Sequence, residues 1–279
     1  MIKSSQITKL IRLAIEEDLY PLDITTEIVV PQNRDAKAKI VTKERAVVCG
    51  TSLIDPIFRE YGSKCCVTER VQEGDEASPG TFIATISSDL RSLLSLERIV
   101  LNFIQRLSGI ATNTKEIAQK TDTLLVCDTR KTTPGWRLLE KYAVKVGGAR
   151  NHRFSLGDLV LIKDNHITAC GGSVAEVLQR AKNLAPIHSK IEIEISNLDQ
   201  LKEAIPHAPD IIMLDNMGAE EIREALKLVR EASKNTTVEV SGNITASDLK
   251  ELEKIGVDCV SMGRLTYGAR VIDMSMKIE

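Results

Sequence analysis

Aromatic side chains are scarce in this chain: one Trp, four Tyr and four Phe among 279 residues. Proteins that hold single-stranded nucleic acid stack bases on aromatic faces while pairing phosphates with cations. A sequence so poor in rings, with a net charge of −2, argues against nucleic acid as its partner. Paired cysteines are lacking too. Cys49, Cys65, Cys66, Cys127, Cys170 and Cys259 form no CxxC and lie mostly in apolar runs. That excludes a zinc site or disulfide framework on spacing and leaves buried free thiols. No apolar run approaches the roughly 18 residues of a membrane span. The stretch MIKSSQITKLIRLAIEEDL mixes both charge signs and has no small-residue cleavage site, so no membrane partner and a cytoplasmic location are expected.

The chain does have the composition of a soluble globular protein, 43% hydrophobic and 27% charged, and enough length for one large domain or two ordinary ones. Its charge is unevenly placed. From Asp128 to His166 eight Lys/Arg stand against four acids, a local balance of +4 that leaves −6 for the rest of a chain totalling −2. A cationic island in a mildly acidic protein points to an anionic ligand held in one place. Within it, Arg137, Glu140, Lys141 and Lys145 repeat at helical spacing and read as a solvated face, with Leu138, Leu139, Ala143 and Val144 turned inward. The flanking loops, TRKTTPG and GGARNHR, are the parts placed to carry function.

Ser4 to Leu19 reads as a helix capped by Ser4 or Ser5, with Ile7, Leu10, Ile11, Ala14 and Ile15 as its apolar stripe and Tyr20-Pro21 as its stop. Strands are expected over 36–42, 46–49, 64–69 and 81–87. The last two flank VQEGDEASPG, a hairpin connection, which makes the first third α+β with antiparallel pairing. That turn also resembles those of lipoyl and biotinyl modules, but it has no lysine at a hairpin tip and is only a turn. A helix over 90–108 follows, with Arg98, Asn102 and Arg106 on one polar stripe and Arg106 at the end, in reach of a boundary. From Leu124 onward strand, loop and helix alternate, with strands over 124–127, 159–163, 190–195, 210–214, 237–240 and 258–262. This rhythm predicts a parallel sheet covered by helices, either an incomplete α/β barrel or an open doubly wound sheet.

Buried parallel strands should be apolar on both faces. These finish instead in Asp128, Lys163, Glu194, Asp215, Ser241-Gly242 and Gly263. In IEIEI, alternation puts Glu192 and Glu194 on one face, and Glu239 and Ser241 are related in the same way. Unpaired carboxylates inside a sheet are costly, so these acids need cations, a metal or water. Rules broken together at several strand ends mark function, because ligands of both architectures bind where the strands end. SGNI and MGRL stand at the starts of helical segments on the last two strands, where backbone N–H groups can cradle phosphate.

TRKTTPG, GGARNHR, LIKDNH, IEIEI, LDN, SGN and the terminal MGRLT, in this order and spacing and preceded by LNFIQRLSGIAT, closely resemble the quinolinate phosphoribosyltransferase family over nearly the whole chain. The resemblance implies an N-terminal α+β domain (1–108), an incomplete α/β barrel of six to seven strands (109–268), and a C-terminal segment (269–279) returning to the first domain. It implies a homodimer with shared sites, its further assembly left open, in which one subunit's N-terminal domain covers the other's barrel mouth. The implied reaction joins quinolinate to phosphoribosyl pyrophosphate with Mg2+, giving nicotinate mononucleotide, CO2 and pyrophosphate. Quinolinate carries two adjacent carboxylates, which suit the planar forks of Arg130 and Arg153. By resemblance His152 and Lys131 complete that pocket, Arg106 arrives from the neighbouring subunit, and Lys163 meets the phosphate or pyrophosphate end. Glu194 and Asp215 would hold Mg2+ and the ribose hydroxyls, and Ser241, Gly242, Asn243 and Gly263 the 5-phosphate. Lys131, Lys163, Glu194 and Asp215 are the catalytic candidates. Where the family reads GALTHS this chain has Gly263-Arg264-Leu265-Thr266-Tyr267-Gly268, so Arg264 either adds a phosphate contact or crowds the cradle.

Three rivals are weighed against this. A Schiff-base lyase using Lys163 needs the apolar pocket that lowers a lysine pKa, and Lys163 stands among charges. The related transferase of molybdate-uptake operons shares the scaffold, but LIKDNH and NHR favour the quinolinate enzyme. A non-catalytic anion-binding relative is disfavoured by retention of the charged motif positions.

Overall fold

The computed structural model describes residues 5–279, so Ser4, one of the two expected caps of the first helix, lies outside them. The first part of the chain runs α1 (Ser5–Leu19), α2 (Ile24–Val29), β1 (Asp35–Thr42), β2 (Ala46–Val47), α3 (Ile54–Tyr61), β3 (Cys65–Arg70), β4 (Glu76–Ala77), β5 (Phe82–Asp89) and α4 (Leu90–Ala118). It continues β6 (Leu125–Cys127), α5 (Arg137–Val146), β7 (Val160–Ile162), α6 (Asp164–Ala169), α7 (Val174–Leu184), β8 (Ile191–Ile195) and α8 (Leu198–Ala204). Then come β9 (Ile211–Asp215), α9 (Ala219–Ala232), β10 (Thr237–Ser241), α10 (Leu249–Ile255), β11 (Cys259–Ser261), α11 (Arg264–Tyr267) and β12 (Met274–Ile278). Two compact units form: Met1–Glu116 with Thr132–Gly148 and Leu265–Glu279, and Ile117–Lys131 with Ala149–Arg264.

In the first unit β12, β1, β5 and β3 form a four-stranded sheet, antiparallel throughout. β1 shows why the segment is a strand: Ala38 and Ile40 are buried, and they alternate with the more accessible Lys37 and Lys39. The hairpin expected around VQEGDEASPG joins β3 to β5, and β4 within it pairs with β2. Helix α4 is 29 residues long, ten beyond the expected stop at Ser108. Gly109 does not break it, because the glycine serves an approach: a Cβ there would lie 1.9 Å from the Arg270 carbonyl oxygen. Leu93, Leu96, Val100, Phe103, Ile104 and Leu107 of α4 are all buried.

Two expectations hold only in part. The polar residues of α5 are a solvated face only in part: Lys145 is exposed and Arg137 half-buried, but Glu140 and Lys141 are fully buried. Glu140 accepts the Thr133 N–H at 3.1 Å and its hydroxyl at 2.9 Å, and pairs with Arg106 at 2.9 Å; partners distant in sequence make its burial tolerable. All six cysteines are free thiols, but Cys66 and Cys170 are exposed and only Cys49 and Cys259 are buried.

The second unit is a six-stranded parallel sheet in the order β6-β11-β10-β9-β8-β7. Chain order runs through the sheet without reversing, and the last strand lies beside the first. An open doubly wound sheet would reverse at a switch point; this order is that of a barrel with its gap between β6 and β7. Among the described residues no helix is long and apolar enough to cross a membrane.

Candidate active site

The carboxyl ends of the barrel strands enclose a cavity of about 590 Å³. Alternation along β8 puts Glu192 and Glu194 on one face; Glu192 is completely buried, and Glu194, nearer the strand end, lines the cavity. Glu194 is ion-paired with Lys163 from the end of β7. Lys163 is fixed in turn by its own backbone, whose N–H donates to His166 Nδ1 at 2.9 Å. At the end of β9, Asp215 accepts the Asn216 side-chain amide at 2.7 Å. Asn216 (φ 55°) donates its backbone N–H to the Ser241 carbonyl at 3.0 Å and accepts from Asn243 Nδ2 at 3.3 Å. Between them Gly242 has φ 95°, and a Cβ there would lie 2.3 Å from Asn216 Oδ1 and 2.8 Å from its backbone nitrogen. Two left-handed turns are thus locked together where β9 and β10 end, and only glycine fits the second.

The cationic wall follows β6. Asp128, fully buried, accepts the Asn151 side-chain amide at 2.7 Å and the His152 N–H at 2.8 Å, fixing the turn that carries Arg153. Arg153 donates to the Leu159 carbonyl at 3.2 Å, and burial and the neighbouring Arg130 guanidinium lower its proton affinity. Two like cations crowded at one cavity are unfavourable until an anion joins them. His152 Nε2 stands 3.3 Å from Glu192 and 3.5 Å from Glu239, both buried. Burial disfavours a charged imidazole, while the two acids facing Nε2 favour a proton on that nitrogen. Burial and repulsion from Glu239 raise Glu192 in turn, against the His152 hydrogen bond that lowers it.

Of the residues singled out in the sequence, Arg130, Lys131, His152, Arg153, Lys163, Glu194, Asp215, Ser241, Gly242 and Asn243 all line this cavity. Gly263 and Arg264 follow β11 in the same unit and are not among its lining residues, whereas Ser261 is. Arg106 belongs to the first unit. Its Nη1 donates to the Ala269 carbonyl at 3.0 Å, and its Nη2 donates to the Thr266 carbonyl at 3.1 Å and to Glu140. It lines a smaller recess, about 280 Å³, with Trp136, whose ring stacks on Phe103 at 4.8 Å. The sequence reading passed over Thr129, His166, Asn216 and Ser261 as lining residues. The first three lie in or beside TRKTTPG, LIKDNH and LDN, so the motifs held the signal. A chemical division results: fixed cations Arg130, Lys131, Arg153 and Lys163 against the carboxylates of Glu194 and Asp215, with hydroxyls and turn N–H groups between. The oxygen donors of Glu194, Asp215 and Ser241 form the hard set that suits Mg2+.

Comparison with known proteins places the chain in a family. Residues 23–108 match the family described as quinolinate phosphoribosyl transferase, N-terminal domain, and residues 110–277 match its C-terminal domain. The probable nicotinate-nucleotide pyrophosphorylase [carboxylating] of Methanocaldococcus jannaschii is 43% identical, covering 97% of this chain and 96% of that protein. Its Bacillus subtilis counterpart is 40% identical over 98% and 93%. Among solved structures, NadC from Streptococcus pyogenes superposes with a TM-score of 0.92 at 37% identity, covering 100% of this chain and 98% of that one. Matches of this extent, covering both domains, make the chain a member of the quinolinate phosphoribosyltransferase family.

Proposed function

We propose that this chain transfers phosphoribosyl from phosphoribosyl pyrophosphate to quinolinate with decarboxylation, in NAD biosynthesis in the cytoplasm. The observation that carries the reading is the crowding of Arg130 and Arg153 on a cavity that also holds Glu194 and Asp215. A vicinal dicarboxylate is the ligand that relieves two adjacent guanidiniums, and planar forks bind it bidentately. Lys131 and His152 extend that pocket. The Ser241-Gly242-Asn243 turn offers backbone N–H groups to the 5-phosphate. Glu194 and Asp215 would hold Mg2+ beside the ribose hydroxyls, and the ion when bound would supply positive charge for the leaving pyrophosphate.

The pyridine nitrogen forms its bond to the anomeric carbon as the bond to pyrophosphate breaks and its electron pair leaves with that group. Lys163 meets the departing negative charge, while the two carboxylates stabilise positive charge developing on the ribose. The C2–carboxylate bond then breaks. CO2 departs, and the electron pair stays on C2 beside the cationic ring nitrogen until a proton replaces it. Positioning and fixed charge carry the reaction, with no covalent nucleophile. The enzyme works as a homodimer in which Arg106 serves the partner's site. In support, α1, α2 and their connection expose Tyr20, Leu22, Ile24, Ile28 and Val29, an apolar run that a second subunit would cover.

The test is nicotinate mononucleotide formation from quinolinate, phosphoribosyl pyrophosphate and Mg2+, with nicotinate in a parallel reaction. Product from quinolinate alone is expected. Product from nicotinate, or from neither, would refute the assignment.

A further inference from the structure

His152 stands between two sets of partners. Its Nε2 faces Glu192 Oε2 at 3.3 Å and Glu239 Oε2 at 3.5 Å. Its Nδ1 accepts the Arg153 backbone N–H at 2.8 Å. The two acids come from β8 and β10, with β9 between them, and both are buried inside a parallel sheet where apolar residues would cost less. Both carboxylate oxygens of Glu192 and Oε1 of Glu239 lack any ordinary hydrogen bond, and the imidazole edge is the cationic or donor group that faces the pair.

One His and two Glu within reach of one another could hold a divalent metal. Ligation by Nε2, however, would move the ring proton to Nδ1, where it would confront the Arg153 N–H at 2.8 Å. The same contact decides where the cluster keeps its protons. The acids favour a doubly protonated ring, but a proton on Nδ1 again meets an N–H donor. The ring therefore carries its proton on Nε2, facing the two acids, and keeps Nδ1 bare for the Arg153 N–H.

Building on the phosphoribosyltransferase reading, we propose that Glu192 and Glu239 are positioning residues for the dicarboxylate pocket, acting through His152. They accept the Nε2–H, the lone pair on Nδ1 holds the Arg153 backbone, and Arg153 carries its guanidinium to the cavity wall. Asp128 holds the same turn from the other side through the His152 N–H and the Asn151 amide. An apolar residue in place of either acid would leave the ring free to exchange tautomers, and in the wrong one Nδ1–H repels Arg153. The acids lie beneath the cavity and not among its lining residues. Their effect falls on quinolinate, and the Ser241-Gly242-Asn243 turn is fixed independently through Asn216.

Two measurements on the full-length enzyme test this. In long-range proton–nitrogen spectra of protein labelled with 15N-histidine, the His152 signal is assigned by its loss in H152Q. It should show a protonated Nε2 and a bare Nδ1, unchanged between about pH 6 and 8, whereas an ordinary histidine titrates near 6.5. In steady-state kinetics the double variant E192M/E239M, which removes both acceptors at similar side-chain volume, should raise KM for quinolinate about ten- to a hundredfold. Its kcat and its KM for phosphoribosyl pyrophosphate should stay within about threefold. E192D, which keeps an acceptor, should recover part of the quinolinate affinity. A His152 proton on Nδ1, or an unmoved quinolinate KM in a folded double variant, overturns the proposal. Wild-type protein that makes no nicotinate mononucleotide would overturn the functional reading instead, and the tautomer measurement would still decide how Arg153 is positioned.

Discussion

Arg130 and Arg153 stand close enough for one to depress the proton affinity of the other, which means the empty pocket carries repulsion that substrate binding removes. Arg130 is half-buried on the cavity wall and not part of the apolar core, so truncating it should touch binding more than stability. Losing one bidentate guanidinium–carboxylate contact forfeits about 3–4 kcal/mol, and kcat/KM for quinolinate in Arg130→Ala should fall about 10²–10³-fold. Its thermal midpoint should match the wild type's; wild-type-like kcat/KM would remove Arg130 from the dicarboxylate pocket. Gly242 makes the complementary case at the phosphate turn. In Gly242→Ala the new Cβ meets Asn216 Oδ1 at 2.3 Å and its backbone nitrogen at 2.8 Å, at a φ of 95°. Strain of about 1–3 kcal/mol must open one of the two turns. KM for phosphoribosyl pyrophosphate should then rise tenfold or more, by about the same 1.4 kcal/mol per decade, while direct calorimetric titration finds quinolinate binding unchanged. Loss of both affinities together would mean that the turn supports the whole site.

At the scale of elements, what could be read from the sequence followed from local period. IEIEI and TVEVS show their inward acids directly because strand side chains alternate, and the strand ends bring most of the expected site residues to one cavity, Gly263, Arg264 and Arg106 excepted. Helix α5 was misread because i, i+4 spacing marks a polar face without saying what it meets. Glu140 meets Arg106 and Thr133, and no local pattern announces partners that far off. Asn216 was missed for a related reason: its value lies in locking to Gly242 across two strands, a contact made only by the folded sheet. A similar long-range clamp ties α10 to the segment entering β6. Glu253 Oε1 accepts the Asp122 N–H at 2.8 Å, the Thr123 N–H at 2.5 Å and the Thr123 hydroxyl at 2.9 Å. These bonds, the Thr123 backbone first, hold its carboxyl down at about 2, below the ordinary 4.5. A depressed folded-state pKa contributes stability in full above the unfolded value and loses it as pH falls toward the folded one. Glu253→Gln should therefore lower the urea midpoint at pH 6 and 7 equally, with the gap to wild type narrowing between about pH 4.5 and 3. A constant gap across that range would mean the clamp owes nothing to the carboxylate charge.

For the whole molecule the question is which subunit completes which site. The cationic cavity is built entirely from the second unit, while Arg106, the remaining cation assigned to quinolinate by family resemblance, belongs to the first. A two-fold dimer can exchange the two, since the same surfaces meet twice with roles reversed. The exposed apolar run over Tyr20, Ile24, Ile28 and Val29 gives such a dimer something to bury. Shared sites have a signature that separate sites lack. Arg106→Ala and Lys163→Ala should each be inactive as homodimers, because every site in them lacks one cation. In a mixed dimer, the site built on the Arg106→Ala subunit has its own Lys163 and takes Arg106 from its partner, so it is whole; the other site lacks both. With random exchange of equal amounts, half the dimers are mixed and each has one good site, giving about a quarter of wild-type activity. Activity should appear only as subunits exchange, and should track the heterodimer fraction separated by differently tagged chains. Heterodimers recovered at the expected fraction but inactive would place Arg106 in its own subunit's chemistry. In that case its bonds to Glu140, Ala269 and Thr266 would describe a structural staple between α4 and the C-terminal segment.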